Sequence, residues 1–237
     1  MTGNRRFVAV GFDMDSTLLD TLVDYSRLRS VVFNEMTGAG VPEYVMDRSE
    51  PSKFNLDRGI NYLKRNGRSG EIDGILRRVD KEIRSIELEH VDRARPYDGV
   101  DRLLRYLRGK RYKIGVLTRA NREYAMKALT ISGVIGMLDA VVCKDDFPES
   151  ESKPSPAAMR NLANALGVVP SQILFLGDSK IDHHCARDSG AGFIGVLTRY
   201  TKEEWMAVDP NVKMIGTVTD LMELYRKEGW AAEPPPC

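Results

Sequence analysis

The first element that the hydrophobic pattern predicts is a strand over residues 7–12, where apolar and small residues run without polar alternation. Such a run is typical of a strand buried on both faces of a sheet. The run stops at Asp13 and Asp15, so both carboxyl groups are expected at the carboxyl end of the strand. Ligands of open α/β sheets bind at that end, which indicates a functional site. A strand followed by a simple helix cap is the alternative interpretation.

A helical block is expected after this strand. Apolar residues recur every three or four positions over residues 18–36, which predicts an amphipathic helix directly after the aspartates. Residues 43–95 have the pattern of several further helices, and no convincing strand pattern lies among them. Such a block is typical of an inserted domain with its own core. We therefore predict an all-α insertion over residues 21–94, within a core domain made of residues 1–20 and 95–237.

Beyond the insertion, strand-like and helix-like stretches alternate. Apolar runs predict strands over residues 113–117, 140–143, 173–176 and 193–196. Periodic segments predict helices over residues 100–107, 121–131 and 156–166, and another that ends at residue 189. Segments 202–208, 212–215 and 221–227 predict one more βα turn, and residues 233–237 an extended tail. Alternation of this kind predicts an α/β fold with a parallel sheet covered by helices on both faces.

Composition narrows the class of protein. Hydrophobic residues make up 42% and charged residues 29% of the 237 residues, as in ordinary globular proteins. The 35 Lys and Arg residues balance 34 Asp and Glu residues, so no overall field favours nucleic acid or an anionic membrane. Three cysteines without CxxC spacing favour neither a disulfide framework nor a zinc site. With no apolar stretch of signal-peptide or transmembrane type, we expect a cytoplasmic protein.

Candidate catalytic residues lie at the ends of separate predicted strands or in loops beside them. They are Asp13 with Asp15, Thr118, Lys153, and Asp178 with Asp182. Two carboxylates about 4 Å apart repel by roughly 4 kcal/mol at an effective dielectric constant near 20, so such a cluster requires a cation. An all-oxygen ligand set without Cys or His at metal spacing favours Mg²⁺ over zinc.

These residues suit the hydrolysis of a phosphate ester. Asp13 can attack phosphorus and form an aspartyl-phosphate, and Asp15 can protonate the leaving alkoxide and later deprotonate water. The Thr118 hydroxyl can donate to a nonbridging oxygen, while Lys153 neutralises negative charge. Backbone N–H groups after Asp13 are expected to form an anion site with the N-terminus of the next helix.

Four motifs in order resemble those of the haloacid dehalogenase superfamily of phosphohydrolases. The first, DxDxT, matches residues 13–17, and the second, an apolar strand ending in Thr or Ser, matches residues 116–119. The lysine of the third motif matches Lys153, and GDxxxD matches residues 177–182. Each motif alone is weak, but four in sequence over a βα pattern form a specific signal.

The resemblance implies a Rossmann-like, doubly wound core with an inserted helical cap, as in phosphoglycolate phosphatase-like phosphatases. It also implies that Asp13 and Asp178 ligate Mg²⁺ through their side chains and Asp15 through its main-chain carbonyl. Asp182 would support the metal site from nearby. Family dehalogenases lack an acid at the position of Asp15, so the resemblance favours a phosphatase over a dehalogenase.

The expected reaction is hydrolysis of a small-metabolite phosphomonoester, phosphoglycolate-like, with Mg²⁺ as cofactor. A phosphomutase or pyrophosphatase on the same fold and a noncatalytic phospholigand-binding protein remain as alternatives. Among the cations of the insertion, Lys53 or Arg58 is expected to meet the substrate. We expect no nucleic-acid or membrane partner. The oligomeric state is left open between a monomer and a homodimer.

Overall fold

The computed structural model of the chain describes residues 7–228. The chain divides into two compact units. One runs up to Thr21 and resumes at Asp92, and we call it the core unit; the other, the helical unit, is Leu22–Val91. The role of the helical unit as a cap stays a prediction. Within the described residues, no helix combines the length and the apolar character needed to cross a membrane.

A parallel six-stranded sheet forms the centre of the core unit, with strand order β5-β4-β1-β6-β7-β8. Its strands are β1 (Ala9–Phe12), β4 (Lys113–Leu117), β5 (Ala140–Val142), β6 (Ile173–Gly177), β7 (Gly192–Val196) and β8 (Met214–Ile215). The chain builds outward from β1 to β5 and then from β6 to β8, so the strand order reverses beside β1. This reversal confirms the predicted Rossmann-like, doubly wound α/β fold, and ligands bind at such a switch point.

Helices precede or follow the strands of this sheet along the chain. They are α4 (Val100–Gly109), α5 (Arg122–Ile131), α6 (Pro156–Leu166), α7 (Lys180–Ser189), α8 (Lys202–Val208) and α9 (Leu221–Glu228). The sheet and α6 approach closely at Gly11 in β1, where an added Cβ would lie 2.8 Å from the Phe175 ring and 3.0 Å from Leu162. A larger residue would therefore push α6 away from the strand that leads into Asp13.

The segment after the aspartates differs from its prediction. Residues 18–24 are not helical: Leu19–Asp20 forms β2, which pairs antiparallel with β3 (Arg95–Pro96). The Leu18 and Leu19 side chains are fully buried, so their apolar character serves the core rather than a helix face. The first helix begins only at Tyr25, and Asp24 caps it by accepting from the Arg27 N–H at 3.0 Å. No helix begins directly after the aspartates, and the anion site expected from the N–H groups after Asp13 and the start of the next helix stays a prediction.

Three helices build the helical unit: α1 (Tyr25–Gly38), α2 (Ser52–Arg65) and α3 (Ile72–Leu88). Their apolar faces bury a common core. Asn55 on α2 also orders the preceding loop, because its side chain accepts from the Asp47 N–H at 2.8 Å and donates to the Asp47 carbonyl at 2.7 Å. The expected tail over residues 233–237 lies outside the described residues.

Candidate active site

The carboxyl ends of β4, β1 and β6 lead into three of the candidate residues, Thr118, Asp13 and Asp178. The Asp13 N–H donates to the Leu176 carbonyl at 2.8 Å, so the pairing of β1 with β6 continues into the site. These strands are neighbours in the sheet. The fold therefore presents residues that are far apart in sequence at one edge of the sheet.

Lys153 forms the centre of the charged cluster. Its ammonium lies 2.6 Å from an oxygen of Asp13 and 2.6 Å from an oxygen of Asp182, and only 3% of its side chain is exposed. Burial alone would lower the pKa of this lysine, but the two carboxylates outweigh burial and raise the pKa above its ordinary value. Lys153 is therefore a permanent cation between two acids.

Asp182 is held on both of its carboxylate oxygens. One oxygen accepts from Lys153, and the other accepts from the Ser179 hydroxyl at 2.6 Å and the Ser179 N–H at 3.2 Å. The carboxyl group also lies against Gly177, where an added Cβ would come within 2.5 Å of the Asp182 Cγ. Glycine at the end of β6 is therefore a steric requirement for placing this carboxylate.

Asp178 contributes a carboxyl group with one oxygen that lacks a hydrogen-bond partner among the described residues. Its Oδ2 is buried and accepts no hydrogen bond within the described part of the chain. The Arg199 guanidinium is 3.6 Å from this oxygen. Burial, followed by the charges of Asp13 and Asp182, raises the pKa of Asp178 well above its ordinary value. A buried acceptor of this kind suits a ligand that the protein itself does not supply.

The acidic cluster fits a hard metal ion. Asp13, Asp178 and Asp182 each offer an oxygen, and these three atoms lie within 4.8 Å of one another. Burial also raises the pKa of Asp13 to about 7, although Lys153 opposes that shift. Oxygen-only ligands, close carboxylates and an unpaired buried oxygen together form a donor set of the kind that Mg²⁺ prefers.

Asp15 lies beside this cluster, and two hydroxyl groups bind its carboxyl group. Thr21 donates to Asp15 Oδ1 at 2.7 Å, and Tyr124 donates to the same oxygen at 2.6 Å. Burial raises the pKa of Asp15, while both hydrogen bonds oppose the rise by stabilising the charged form. Neither donor was predicted from the sequence. Tyr124 is 109 positions from Asp15, and no motif connects the two residues.

Thr118 and Lys153 line the same small cavity. The Thr118 hydroxyl accepts from the Ala120 N–H at 3.0 Å, which leaves its own hydrogen for donation. The next residue, Arg119, donates to the Lys153 carbonyl at 2.8 Å and to the Ser152 hydroxyl at 2.7 Å. Arg119 therefore ties the Thr118 segment to the backbone of Lys153, a contact that the sequence pattern did not indicate.

The two cations predicted to meet substrate belong to the helical unit. Lys53 is buried and forms an ion pair with Asp57 at 2.7 Å, one turn along α2. Arg58 lines an open cavity of about 540 Å³ together with Arg48 and Tyr44. Contact of either side chain with a substrate stays a prediction.

Comparison with known proteins identifies the family. The sequence profile of the haloacid dehalogenase-like hydrolases matches residues 10–196, which include all six candidate site residues. The chain belongs to the haloacid dehalogenase-like hydrolase family. The family relationship confirms that this protein is a hydrolase with the predicted fold class.

Relatives within the hydrolase family carry more specific names. The chain is 28% identical over 189 residues to a phosphoglycolate phosphatase of Nitrosospira multiformis, covering 77% of this chain and 80% of the relative. It is 25% identical over 223 residues to pyrophosphatase PpaX of Bacillus velezensis, covering 93% and 97% of the two chains. A solved haloacid dehalogenase-like hydrolase of Bacteroides fragilis superposes with a TM-score of 0.67 at 19% identity, over 91% of this chain and 99% of the other. The last comparison supports the fold alone.

Proposed function

We propose that this hydrolase is a Mg²⁺-dependent phosphatase that cleaves a small-metabolite phosphomonoester through an aspartyl-phosphate on Asp13. The observation that carries the proposal is the buried Lys153 ammonium, which bridges Asp13 and Asp182 at 2.6 Å each beside the unpartnered oxygen of Asp178. A cation site and a nucleophilic carboxylate thus meet at one point, as phosphoryl transfer requires.

Asp13 is the proposed nucleophile. One of its oxygens accepts from Lys153, which holds the carboxylate and leaves the second oxygen for attack on phosphorus. The new Asp13–phosphorus bond forms as the bond from phosphorus to the leaving oxygen breaks. Lys153 and the Thr118 hydroxyl stabilise the negative charge on the transferring phosphoryl group.

Asp15 is the proposed general acid and base. It gives its proton to the departing oxygen, takes a proton from a water molecule in the second step, and so directs that water to the phosphorus of the intermediate. Inorganic phosphate leaves and the Asp13 carboxylate is restored. Because Asp15 does both transfers, no further proton carrier is needed.

The acidic cluster would hold the metal through Asp13, Asp178 and the main-chain carbonyl of Asp15, with Asp182 in support through Lys153 and Ser179. When bound, Mg²⁺ would neutralise the carboxylates and the phosphoryl oxygens. The unpartnered Asp178 oxygen and the three oxygens within 4.8 Å support this assignment.

A phosphoglycolate-like ester is the proposed substrate class, supported by the similarity to the Nitrosospira multiformis phosphatase. Pyrophosphate is the second candidate, because the chain also resembles pyrophosphatase PpaX over almost its full length. Phosphomutase activity and noncatalytic binding of a phospholigand are the remaining alternatives. A cytoplasmic location stays a prediction. The oligomeric state, monomer or homodimer, stays open.

Phosphate release from a panel of substrates tests the proposal. The panel holds 2-phosphoglycolate, sugar phosphates, nucleotides and pyrophosphate, each with Mg²⁺ and with a chelator. Asp13→Asn is the test variant, and Asp188→Asn is the matched control because Asp188 is an exposed carboxylate on α7 that pairs with Arg187. Release that needs Mg²⁺ and is lost only in Asp13→Asn is expected.

Each other outcome selects an alternative. Undiminished release by Asp13→Asn would contradict the covalent mechanism, and preference for pyrophosphate would favour the second candidate. Interconversion of sugar phosphates without net release would indicate a mutase. Tight binding without turnover of any substrate would indicate a binding protein.

A further inference from the structure

Tyr124 is a buried tyrosine that no motif of the chain includes, and its side chain reaches the active site. It lies on α5, is 1% exposed, and donates its hydroxyl hydrogen to Asp15 Oδ1 at 2.6 Å. A bond of this length between a phenol and a carboxylate is strong and directional. The contact is therefore a fixed part of the core unit.

The start of α5 sets the position of Tyr124. Asn121 is the N-cap of this helix, and its side-chain oxygen accepts from the Tyr124 N–H at 3.0 Å. Asn121 is itself fully buried, three residues after Thr118. The same turn that follows β4 therefore positions both Thr118 and the Tyr124 hydroxyl.

Both hydrogen bonds to the Asp15 carboxyl group end on the same oxygen. Thr21 and Tyr124 both donate to Oδ1. Thr21 precedes the helical unit in the sequence, and Tyr124 follows it. Two donors hold Oδ1 in place and occupy both of its lone pairs, so Oδ2 is the oxygen left for proton transfer. They also stabilise the charge that remains on Asp15 after that proton has left.

We propose that Tyr124 is a positioning residue that orients Asp15 so that Oδ2 delivers its proton to the leaving group. The inference rests on the proposed phosphatase function and adds a residue to it. The proton passes from Asp15 Oδ2 to the leaving oxygen as the phosphorus–oxygen bond breaks, and the Tyr124 hydroxyl keeps its own proton throughout. A strongly basic leaving oxygen depends on this delivery, whereas a weakly basic one departs as an anion.

Two aryl phosphates that differ by one para-nitro group, and therefore strongly in the basicity of the leaving group, test the proposal. Phenyl phosphate releases a basic phenolate, and 4-nitrophenyl phosphate releases a weakly basic one. The Tyr124→Phe variant keeps the buried ring and removes the hydroxyl. We expect its kcat/KM for phenyl phosphate to fall by about tenfold or more, and that for 4-nitrophenyl phosphate to fall by less than about threefold.

Matched variants accompany this measurement. Tyr106→Phe removes a phenolic hydroxyl from α4 in the same unit and is expected to leave both rates unchanged. Thr21→Val removes the other donor to Oδ1 and is expected to show the same dependence on leaving group as Tyr124→Phe. An equal loss on both substrates in Tyr124→Phe would mean a merely structural role, and no loss on either would also overturn the proposal.

Asp15→Asn separates this proposal from the proposed function. A strong leaving-group dependence in Asp15→Asn without any in Tyr124→Phe would overturn the role of Tyr124 and retain the general acid. Absence of that dependence in Asp15→Asn would overturn the general-acid role itself. A crystal structure of the Thr21→Val, Tyr124→Phe double variant adds a readout without turnover: the Asp15 carboxyl group is expected to rotate, and an unchanged orientation would contradict the proposal.

Discussion

Each unit of the molecule buries a lysine side chain, and the surroundings of the two differ. In the core unit Lys153 lies between Asp13 and Asp182, and the Lys153 and Asp182 side chains are almost completely buried. In the helical unit Lys53 pairs with Asp57 one turn along the same helix, and 40% of the Asp57 side chain is exposed. Local helix geometry is sufficient for the second pair. The first needs three distant segments of the chain.

This difference distinguishes an ion pair within one helix from a charged cluster of the kind found in binding sites. A pair with an exposed partner is screened by water and contributes little to stability. A buried cluster with excess negative charge opposes folding unless a cation completes it. The core unit retains such a cluster, together with the unpartnered oxygen of Asp178, which is the arrangement expected of a binding site rather than of a stabilising ion pair.

Lys153→Met is expected to have the largest effect. The variant keeps an apolar stem but leaves two buried carboxylates without their cation, so kcat/KM should fall by roughly 10²–10³-fold. The unfolding free energy of the metal-free protein should fall by about 3 kcal/mol, because one partner of a buried ion pair is removed. Phosphate release and urea unfolding measure the two effects. Turnover close to that of the parent protein would mean that Lys153 is only structural.

Asp178→Asn should change metal binding more than folding. The amide removes a negative charge from the cluster, so the affinity for Mg²⁺ measured by calorimetry should fall by at least roughly tenfold. The metal-free variant should be at least as stable as the parent, because the amide removes a buried negative charge that is repelled by Asp13 and Asp182. Asp57→Asn, in the Lys53 pair, is the control and should leave Mg²⁺ affinity unchanged. Equal affinities in Asp178→Asn and the parent would contradict the metal assignment.

The metal-free core unit should lose stability as pH rises. Burial raises the pKa of Asp13 to about 7 and that of Asp178 well above its ordinary value. Between about pH 4 and pH 7 the folded state therefore holds protons that the unfolded chain has released, so the unfolding free energy falls with increasing pH. Urea unfolding at pH 5 and pH 7 in a chelator measures this slope. In Asp13→Asn the unfolding free energy should fall less steeply with pH than in the parent. A steeper fall would contradict the raised pKa of Asp13.

Lys53→Met is expected to have the smallest effect. Methionine retains the buried stem, and the lost ion pair has a partly exposed partner, so the unfolding free energy should change by less than about 1 kcal/mol. A loss of unfolding free energy as large as that of Lys153→Met would contradict the difference between the two lysines. An increased KM with unchanged kcat would instead support the predicted contact of Lys53 with the substrate.

Much of the core unit could be predicted from the sequence because its signals are local. Buried strands leave unbroken apolar runs, and β4 and α6 have the predicted bounds. The segment after Asp15 could not be predicted, because the spacing of Leu18 and Leu19 fits both a helix face and the buried pairing of β2 with β3.

Within the candidate site, motifs supplied the acids, Thr118 and Lys153, but not the residues that orient them. Tyr124 and Arg119 act through contacts between segments 30 or more positions apart, for which a single sequence carries no signal. The requirement for glycine at position 177 likewise becomes evident only when Asp182 folds back against β6. The roles of Lys53 and Arg58 stay predictions because both residues lie on α2 in a stretch without a motif.

Chemical trapping of the intermediate tests the central claim most directly. The protein would be mixed with Mg²⁺ and its preferred ester, quenched in acid during turnover, and reduced with borohydride, which converts an aspartyl-phosphate into homoserine. Mass spectrometry of the peptide that contains Asp13 and Asp15 is then expected to locate homoserine at position 13 alone, and to find none without substrate. Homoserine at position 15, or an unmodified peptide from an enzyme in rapid turnover, would contradict the account.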